Sequence, residues 1–195
     1  MLDRWFEAVE FDGMRVVSPP LLLAMLGAEL PEHELVAVAE ALVTGAENYP
    51  GLRFAARPRV ALDALRAEAV RFVGMSGADA LTTALDRVRP GVESPMETYL
   101  RLRLVDAGLP EPEVNVEIRL PSGRNVRSDL AYRADRVLID YEGDHHRTDA
   151  DTWFDDIERV REIVSCGYDH VRVTRRDFRA GRFTAVVEHI RRRLG

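Results

Sequence analysis

Residues 127–146 read RSDLAYRADRVLIDYEGDHH, and the fold turns on how this stretch is read. Val137-Leu138-Ile139 is an apolar, partly β-branched run of the kind that starts a buried strand. The run then carries two acids, Asp140 and Glu142, before Gly143 and the pair His145-His146. Side chains two apart on a strand point the same way, so Asp140 and Glu142 share a face. Upstream, Leu130-Ala131-Tyr132 reads as a partner strand, entered by Asp129 and joined through the turn Ala134-Asp135-Arg136. Three carboxylates therefore meet at one end of a hairpin. Crowded carboxylates repel and are costly to desolvate, so something must neutralise them. A divalent cation is the simplest candidate.

Working outward, Val114 to Leu120 alternates apolar and polar as a half-exposed strand should, and Pro121-Ser122-Gly123-Arg124 is turn chemistry that returns the chain to the hairpin. A helix precedes this strand, opening at Glu93-Ser94-Pro95-Met96-Glu97 and running to Gly108. A second helix follows the histidines from about Asp151 to Cys166 and is stopped by Gly167. The strand Val171-Arg172-Val173 and a helix from about Thr184 to Leu194 complete the order α-β-β-β-α-β-α. That order predicts an α/β fold with a mixed sheet flanked by helices over residues 91–195. Residues 1–90 read as a helical region instead. It holds a short strand at Met14–Val17, a helix start at Ser18-Pro19-Pro20, and amphipathic helices after Pro31, Pro58 and Gly77, with Pro90-Gly91 as the boundary.

Composition excludes several classes. The chain has 195 residues, 46% hydrophobic and 31% charged, enough for a core in a globular protein. The run Leu21 to Leu26 is too short to span a bilayer, so no membrane association is expected. One cysteine, Cys166, rules out an internal disulfide and a cysteine-based zinc cluster, and a reducing cytoplasmic setting fits best. Net charge is −6, yet its distribution is uneven. Residues 134–156 hold eight acids against two arginines, whereas residues 157–195 hold ten arginines against five acids. An acidic focus beside a basic segment suits a metal site that handles a polyanion. All 27 basic residues are arginine, so no lysine can serve as nucleophile or phosphate ligand.

Oxygen-only ligands favour a hard cation, so Asp129, Asp140 and Glu142 are the expected ligands of Mg²⁺, with Mn²⁺ as a substitute. Such an ion acidifies bound water and offsets charge on a phosphate. Glu97 is a further carboxylate candidate. His146, or His145, is the acid–base candidate because an imidazole titrates near neutrality. Bland readings stand beside these. Ser94-Pro95-Met96-Glu97 fits a capping box; Asp129 has Arg127, Arg133 and Arg136 as neighbours to pair with; Asp156 and Arg159 sit at i, i+3, where helix ion pairs form. Trp153 and Phe154 are expected to pack.

This ordered set resembles the very-short-patch-repair-endonuclease-like group of the restriction-endonuclease-like, PD-(D/E)XK superfamily. The matching positions are Glu97, Asp129, Asp140, Glu142-Gly143, His146, Asp156 with Arg159, Gly167 and Arg172, covering about residues 93–195. The resemblance implies a restriction-endonuclease-like αβββαβα core and Mg²⁺-dependent hydrolysis of DNA phosphodiesters. In that setting Arg159, Arg172, Arg175 and Arg176 are the expected substrate-binding groups. Glu142 stands where the superfamily's name has lysine, and Asp140 and Glu142 invert the usual Glu and Asp of the group. The inversion keeps the carboxylate number but changes each reach by one methylene. The alternative expectation is a catalytically weak nuclease-fold protein that binds or regulates, in a toxin–antitoxin or phage-defence setting. Residues from Val16-Val17-Ser18-Pro19-Pro20 onward also resemble the C-terminal half of abortive-infection-type antitoxin domains. No segment before Met14 is long enough for the winged-helix module of such fusions, so either a short form or a start downstream of the ancestral one is expected. The N-terminal helices are the expected surface for a protein partner, DNA is the expected ligand, and a homodimer is compatible with the sequence.

Overall fold

Proline and glycine set the limits of the elements in the first half of the chain. The computed structural model describes residues 8–11, 13–51, 59–143, 150–179 and 181–195. An antiparallel hairpin of β1 (Ala8–Phe11) and β2 (Met14–Val17) comes first. Helix α1 (Pro19–Leu26) starts on two prolines, which lack only amide hydrogens that a first turn leaves unbonded, and Gly27 caps its end. Next come α2 (Glu32–Val43), α3 (Leu62–Ala69), a short 3₁₀ turn, α4 (Ala78–Arg87) and α5 (Pro95–Asp106). The described residues fall into two units, Met1–Tyr99 and Leu100–Gly195, and the division lies inside α5.

In the first unit Leu23, Leu35, Val36, Ala39, Leu65, Leu81 and Ala84 are fully buried. The apolar face of α2 also buries a charge that its sequence pattern does not announce. Glu40 is fully buried; it accepts the Arg89 amide at 2.7 Å and the Thr98 hydroxyl at 2.5 Å, so it ties α2 to the first turn of α5. Thr44 donates to the carbonyl of Val92 at 2.6 Å and adds a second tie.

The second unit is a four-stranded sheet in the order β3 (Glu113–Arg119), β4 (Asn125–Tyr132), β5 (Val137–Glu142), β6 (Asp169–Thr174). The first three strands run antiparallel, whereas β5 and β6 are parallel and are joined through α6 (Ala150–Ser165). A parallel pair needs such a crossover, since a tight turn can only reverse the chain. Helix α7 (Arg182–Arg193) closes the unit. Alternation along β5 separates two cores. Val137 and Ile139 pack with Leu100 and Leu104 of α5 and with Phe183, Val187 and Ile190 of α7. Leu138 packs on the other face with Val116, Ile118, Val126 and Ile163 of α6. The protein is thus a mixed α/β structure with an α-β-β-β-α-β-α second unit, as its patterning predicts. No helix among the described residues is long and apolar enough to cross a membrane.

The clean alternation expected of β3 fails at one point. Val114 belongs to the α5/α7 core, but Val116, two residues on, belongs to the α6 core. Strand β4 switches likewise between Val126 and Leu130. The two switches face each other across the ladder, between the pairs Val114↔Leu130 and Val116↔Ser128. Asn115 sits there with φ +49°, a left-handed conformation that asparagine tolerates better than most residues. Asp129 is therefore at the place where the pleat reverses.

Glycine is required where the end of α1 passes the loop before α4. Gly77 has φ +90°, and a Cβ on it would lie 2.3 Å from the Ala24 carbonyl oxygen. Gly91 has a similar φ of +93° but faces open space. Gly77→Ala should therefore lower unfolding stability by about 2–3 kcal/mol, and Gly91→Ala by only about 1 kcal/mol, since the second carries strain without collision. Urea denaturation of both variants checks the difference.

Candidate active site

Strands β4 and β5 part at the position where Asp129 and Asp140 face each other. The ladder between them runs Tyr132↔Val137, Ala131↔Leu138 and Leu130↔Ile139, and side chains take over at the next position. The Asp129 amide donates to Asp140 Oδ1 at 3.1 Å, and the Tyr141 amide donates to Asp129 Oδ2 at 2.7 Å. Two carboxylates thus replace main-chain carbonyls. Strand β5 continues on β6 alone, through Asp140↔Arg172, Tyr141↔Val173 and Glu142↔Thr174. The reversed pleat at Asn115 and Asp129 turns Asp129 toward β5, where it can make this exchange.

Asp140 is 8% exposed and is held on both oxygens. Ser128 donates to Oδ1 at 2.7 Å; at Oδ2, His170 Nε2 lies 2.7 Å away and Arg159 Nη2 3.3 Å. Burial by itself raises the Asp140 pKa, but the bonds from His170 and Ser128 and the charge of Arg159 outweigh it, bringing the group from 3.8 down to about 2. Asp140 is an anion throughout the neutral range. Glu142, on the same face, accepts Arg172 Nε at 2.7 Å. Arg172 Nη1 also reaches Asp156 Oδ2 at 2.6 Å, and Arg159 Nη2 reaches Asp156 Oδ1 at 3.2 Å. Burial opposes ionisation of Asp156, yet Arg172 and then Arg159 hold its carboxyl below the usual range.

The structure sets Asp129 beside Asp140, Arg159 against Asp140 and Arg172 against Glu142, and the Asp156–Arg159 pair is one part of that larger network. Neutralisation of the acids is met at least in part by the protein's own arginines. Asp140, Glu142 and Asp156 face Arg159 and Arg172, with His170 also on Asp140, and Asp129 brings a further carboxylate to the same strand end. Among the described residues no group of three or more His, Cys, Asp or Glu is gathered to hold a metal ion.

Glu97 is used in the helix cap. Its amide donates to Ser94 Oγ at 3.2 Å, and its carboxylate accepts the Glu93 amide at 2.9 Å, one residue earlier than a standard capping box. Glu97 belongs to the first unit, and the other site acids belong to the second. His145, His146 and the Trp153 side chain lie outside the described residues. Phe154, expected to pack, is instead 63% exposed.

Arg175 and Arg176 are exposed on the turn after β6, directly beyond the Glu142↔Thr174 pair. Asp177 shapes this turn by accepting the Thr174 amide at 2.8 Å and hydroxyl at 2.7 Å. Arg103 of α5 donates to the Phe178 carbonyl at 3.1 Å and lies 4.3 Å from the Phe183 ring centre, fixing the far side of the turn.

His170 is the member that sequence reading does not find. Its side chain is 1% exposed, and Nδ1 is buried with no hydrogen-bond partner among the described residues. The available signal was its place two residues before Arg172, on the sheet face that carries Asp140. No family model matches the chain, and no curated protein or solved structure is significantly similar to it.

The depressed pKa of Asp140 has a stability consequence. The folded carboxyl titrates near 2 against an ordinary 3.8, so its stabilisation is complete above about pH 4 and is lost as pH falls toward 2. Denaturation in the presence of a chelator should show a loss of about 2 kcal/mol across that window, and Asp140→Asn should flatten it. An unchanged slope in the variant would contradict the assignment.

Proposed function

We propose that the second unit is a metal-dependent endodeoxyribonuclease of the restriction-endonuclease-like kind, nicking or cleaving DNA at the parted ends of β4 and β5. One observation carries this reading: the chain splits two strands where Asp129 and Asp140 meet, and places Glu142 and two arginines on the same face. The order of helices and strands agrees with it.

Carboxylate oxygens are the donors a hard dication takes, and Asp129 and Asp140 adjoin at the strand parting with Glu142 two residues further along β5. Asp129, Asp140 and Glu142 would hold Mg²⁺. When bound, the ion supplies an acidified water and offsets phosphate charge. The chain's own residues do the rest. Ser128 and the Asp129 amide fix the orientation of Asp140. Arg175 and Arg176 are placed to bind backbone phosphates beside the acids, and Arg159 and Arg172 to reach the phosphate nearest to them. His146 is the acid–base group in this proposal.

A second reading has its own observation. Both oxygens of Asp140 and one of Glu142 already have protein donors, which favours a nuclease-fold protein that binds DNA or a partner without turnover.

Two experiments test these readings. Supercoiled plasmid with Mg²⁺ should be nicked by the wild type, and Asp140→Ala should lose on the order of 100-fold or more of that activity. Equal activity in the two proteins refutes the site. Absence of nicking and of Mg²⁺ or Mn²⁺ affinity by calorimetry, with DNA or a partner still bound, favours the second reading. In salt titrations of DNA binding, Arg175→Ala and Arg176→Ala should each weaken binding across all sequences and reduce the slope of log K against log salt by about 1.

A further inference from the structure

Strand β6 is an edge of the sheet: among the described residues it pairs with β5 and with no other strand. A strand turns its main-chain N–H and C=O groups to alternate sides at successive residues. The Asp169 amide bonds the Arg136 carbonyl at 2.8 Å, on the β5 side. Val171 and Val173 therefore also turn toward β5, whereas His170, Arg172 and Thr174 turn outward. Two observations agree with this. The Thr174 amide is met on the outer side by Asp177 Oδ2 at 2.8 Å. His170 is partly exposed as a residue although its side chain is only 1% exposed, so its contact with solvent is made by the main chain. The open edge thus consists of His170 and Arg172, each offering one donor and one acceptor.

Beside this edge runs a groove of about 460 Å³ between β6 and α7. Its wall on α7 is the stripe Arg182, Ala185, Val186 and His189, the i, i+3, i+4, i+7 spacing of one helix face, and Val171 lines it from β6. Ala185 is exposed and Val186 half-buried, so the middle of the groove is small and apolar. The two ends differ. One offers a carboxylate: Asp169 accepts His189 Nε2 at 2.6 Å and Arg193 Nε at 2.9 Å, both on Oδ2, which leaves Oδ1 to take a further donor. The other offers a guanidinium, the exposed Arg182 that opens α7, beside an Asp177 already engaged by Thr174.

We propose that a second copy of this chain occupies the edge, β6 pairing antiparallel with its own counterpart about a two-fold axis at Val171. An edge whose two open residues flank a single residue is complementary to itself in that register. His170 of each copy faces Arg172 of the other and exchanges both N–H···O=C bonds with it, so every open main-chain group is satisfied. Val171 meets its symmetry mate in the closely spaced, non-hydrogen-bonded position, on the sheet face that carries α7. The α7 helices then lie side by side with Ala185 and Val186 between them, small enough to let them approach. Antiparallel pairing also sets the Asp169 end of one groove against the Arg182 end of the other, so carboxylate meets guanidinium twice by symmetry. An unrelated strand can fill the main-chain groups, but a copy of this chain brings the apolar and charged matches as well. Two four-stranded sheets become one of eight strands. The inference stands apart from the acids at the parting of β4 and β5 and from any activity there.

Sedimentation velocity of the full chain from about 1 to 200 µM should show a monomer–dimer equilibrium with Kd on the order of 10 µM, as befits a contact smaller than a standard interface. Ala185→Glu changes a residue exposed in the monomer, so it should keep the wild-type circular dichroism while raising that Kd about tenfold or more, because it sets like charges against each other. A second measurement reads the register. Val171→Cys with Cys166→Ser leaves one thiol per chain, and mild oxidation should join two chains through it, since the paired Cα atoms lie about 4.5 Å apart, within disulfide reach. A wild type that stays monomeric throughout the concentration range overturns the proposal. So does a monomer whose His170 and Arg172 amides gain protection from hydrogen exchange only when a synthetic extended peptide is added, which assigns the edge to another protein. A dimer that Ala185→Glu leaves intact, and that the Val171 thiol does not cross-link, overturns it too, because the copies then meet elsewhere.

Discussion

The carboxylate of Asp140 is the point on which the second unit depends. It sits where β4 and β5 stop pairing, and it accepts from Ser128, the Asp129 amide, His170 and Arg159. A buried anion is tolerated only when its lone pairs are filled, and here four donors on two strands and a helix fill them. The same bonds hold those elements in register. Asp129 completes the arrangement by accepting the Tyr141 amide, so the strands separate without stranding their main-chain groups. A nonpolar residue at position 140 would leave Ser128, His170 and the Asp129 amide facing an apolar surface.

Opening a sheet in this way normally exposes backbone to water or to an aggregating edge. Here β5 keeps its ladder to β6 beyond the parting, and Arg172 of β6 links Glu142 of β5 to Asp156 of α6. The result is a polar concentration on a rigid sheet, with the exposed turn of Arg175 and Arg176 adjoining it. The balance of acids and arginines also distinguishes the site from a plain acidic cage: its resting state is an ion-pair network.

Much of this was legible in the residues. Apolar Val137-Leu138-Ile139 running into Asp140 and Glu142 marks a buried strand that ends in chemistry, and the period of two assigns both acids to one face. Gly167 and Pro121-Ser122-Gly123 mark stops that the structure keeps. Three features were not legible, each for a physical reason. The pleat reversal at Asn115 and Asp129 depends on a positive φ that Asn permits but does not announce. Glu40 is a charge on an apolar helix face, and only tertiary partners from Arg89 and Thr98 make its burial possible. His170 carries no spacing motif; it is recognised only once β6 is laid parallel to β5. Glu97 shows the opposite difficulty, since one short pattern serves equally for a ligand and for a cap, and the hydrogen bonds are those of a cap.

The most direct measurement is anomalous diffraction from crystals of the full chain grown with Mn²⁺ and a phosphorothioate duplex. The account predicts a Mn²⁺ peak within coordination distance of Asp129 and Asp140. A bound duplex with no Mn²⁺ peak at the parted strands would contradict it.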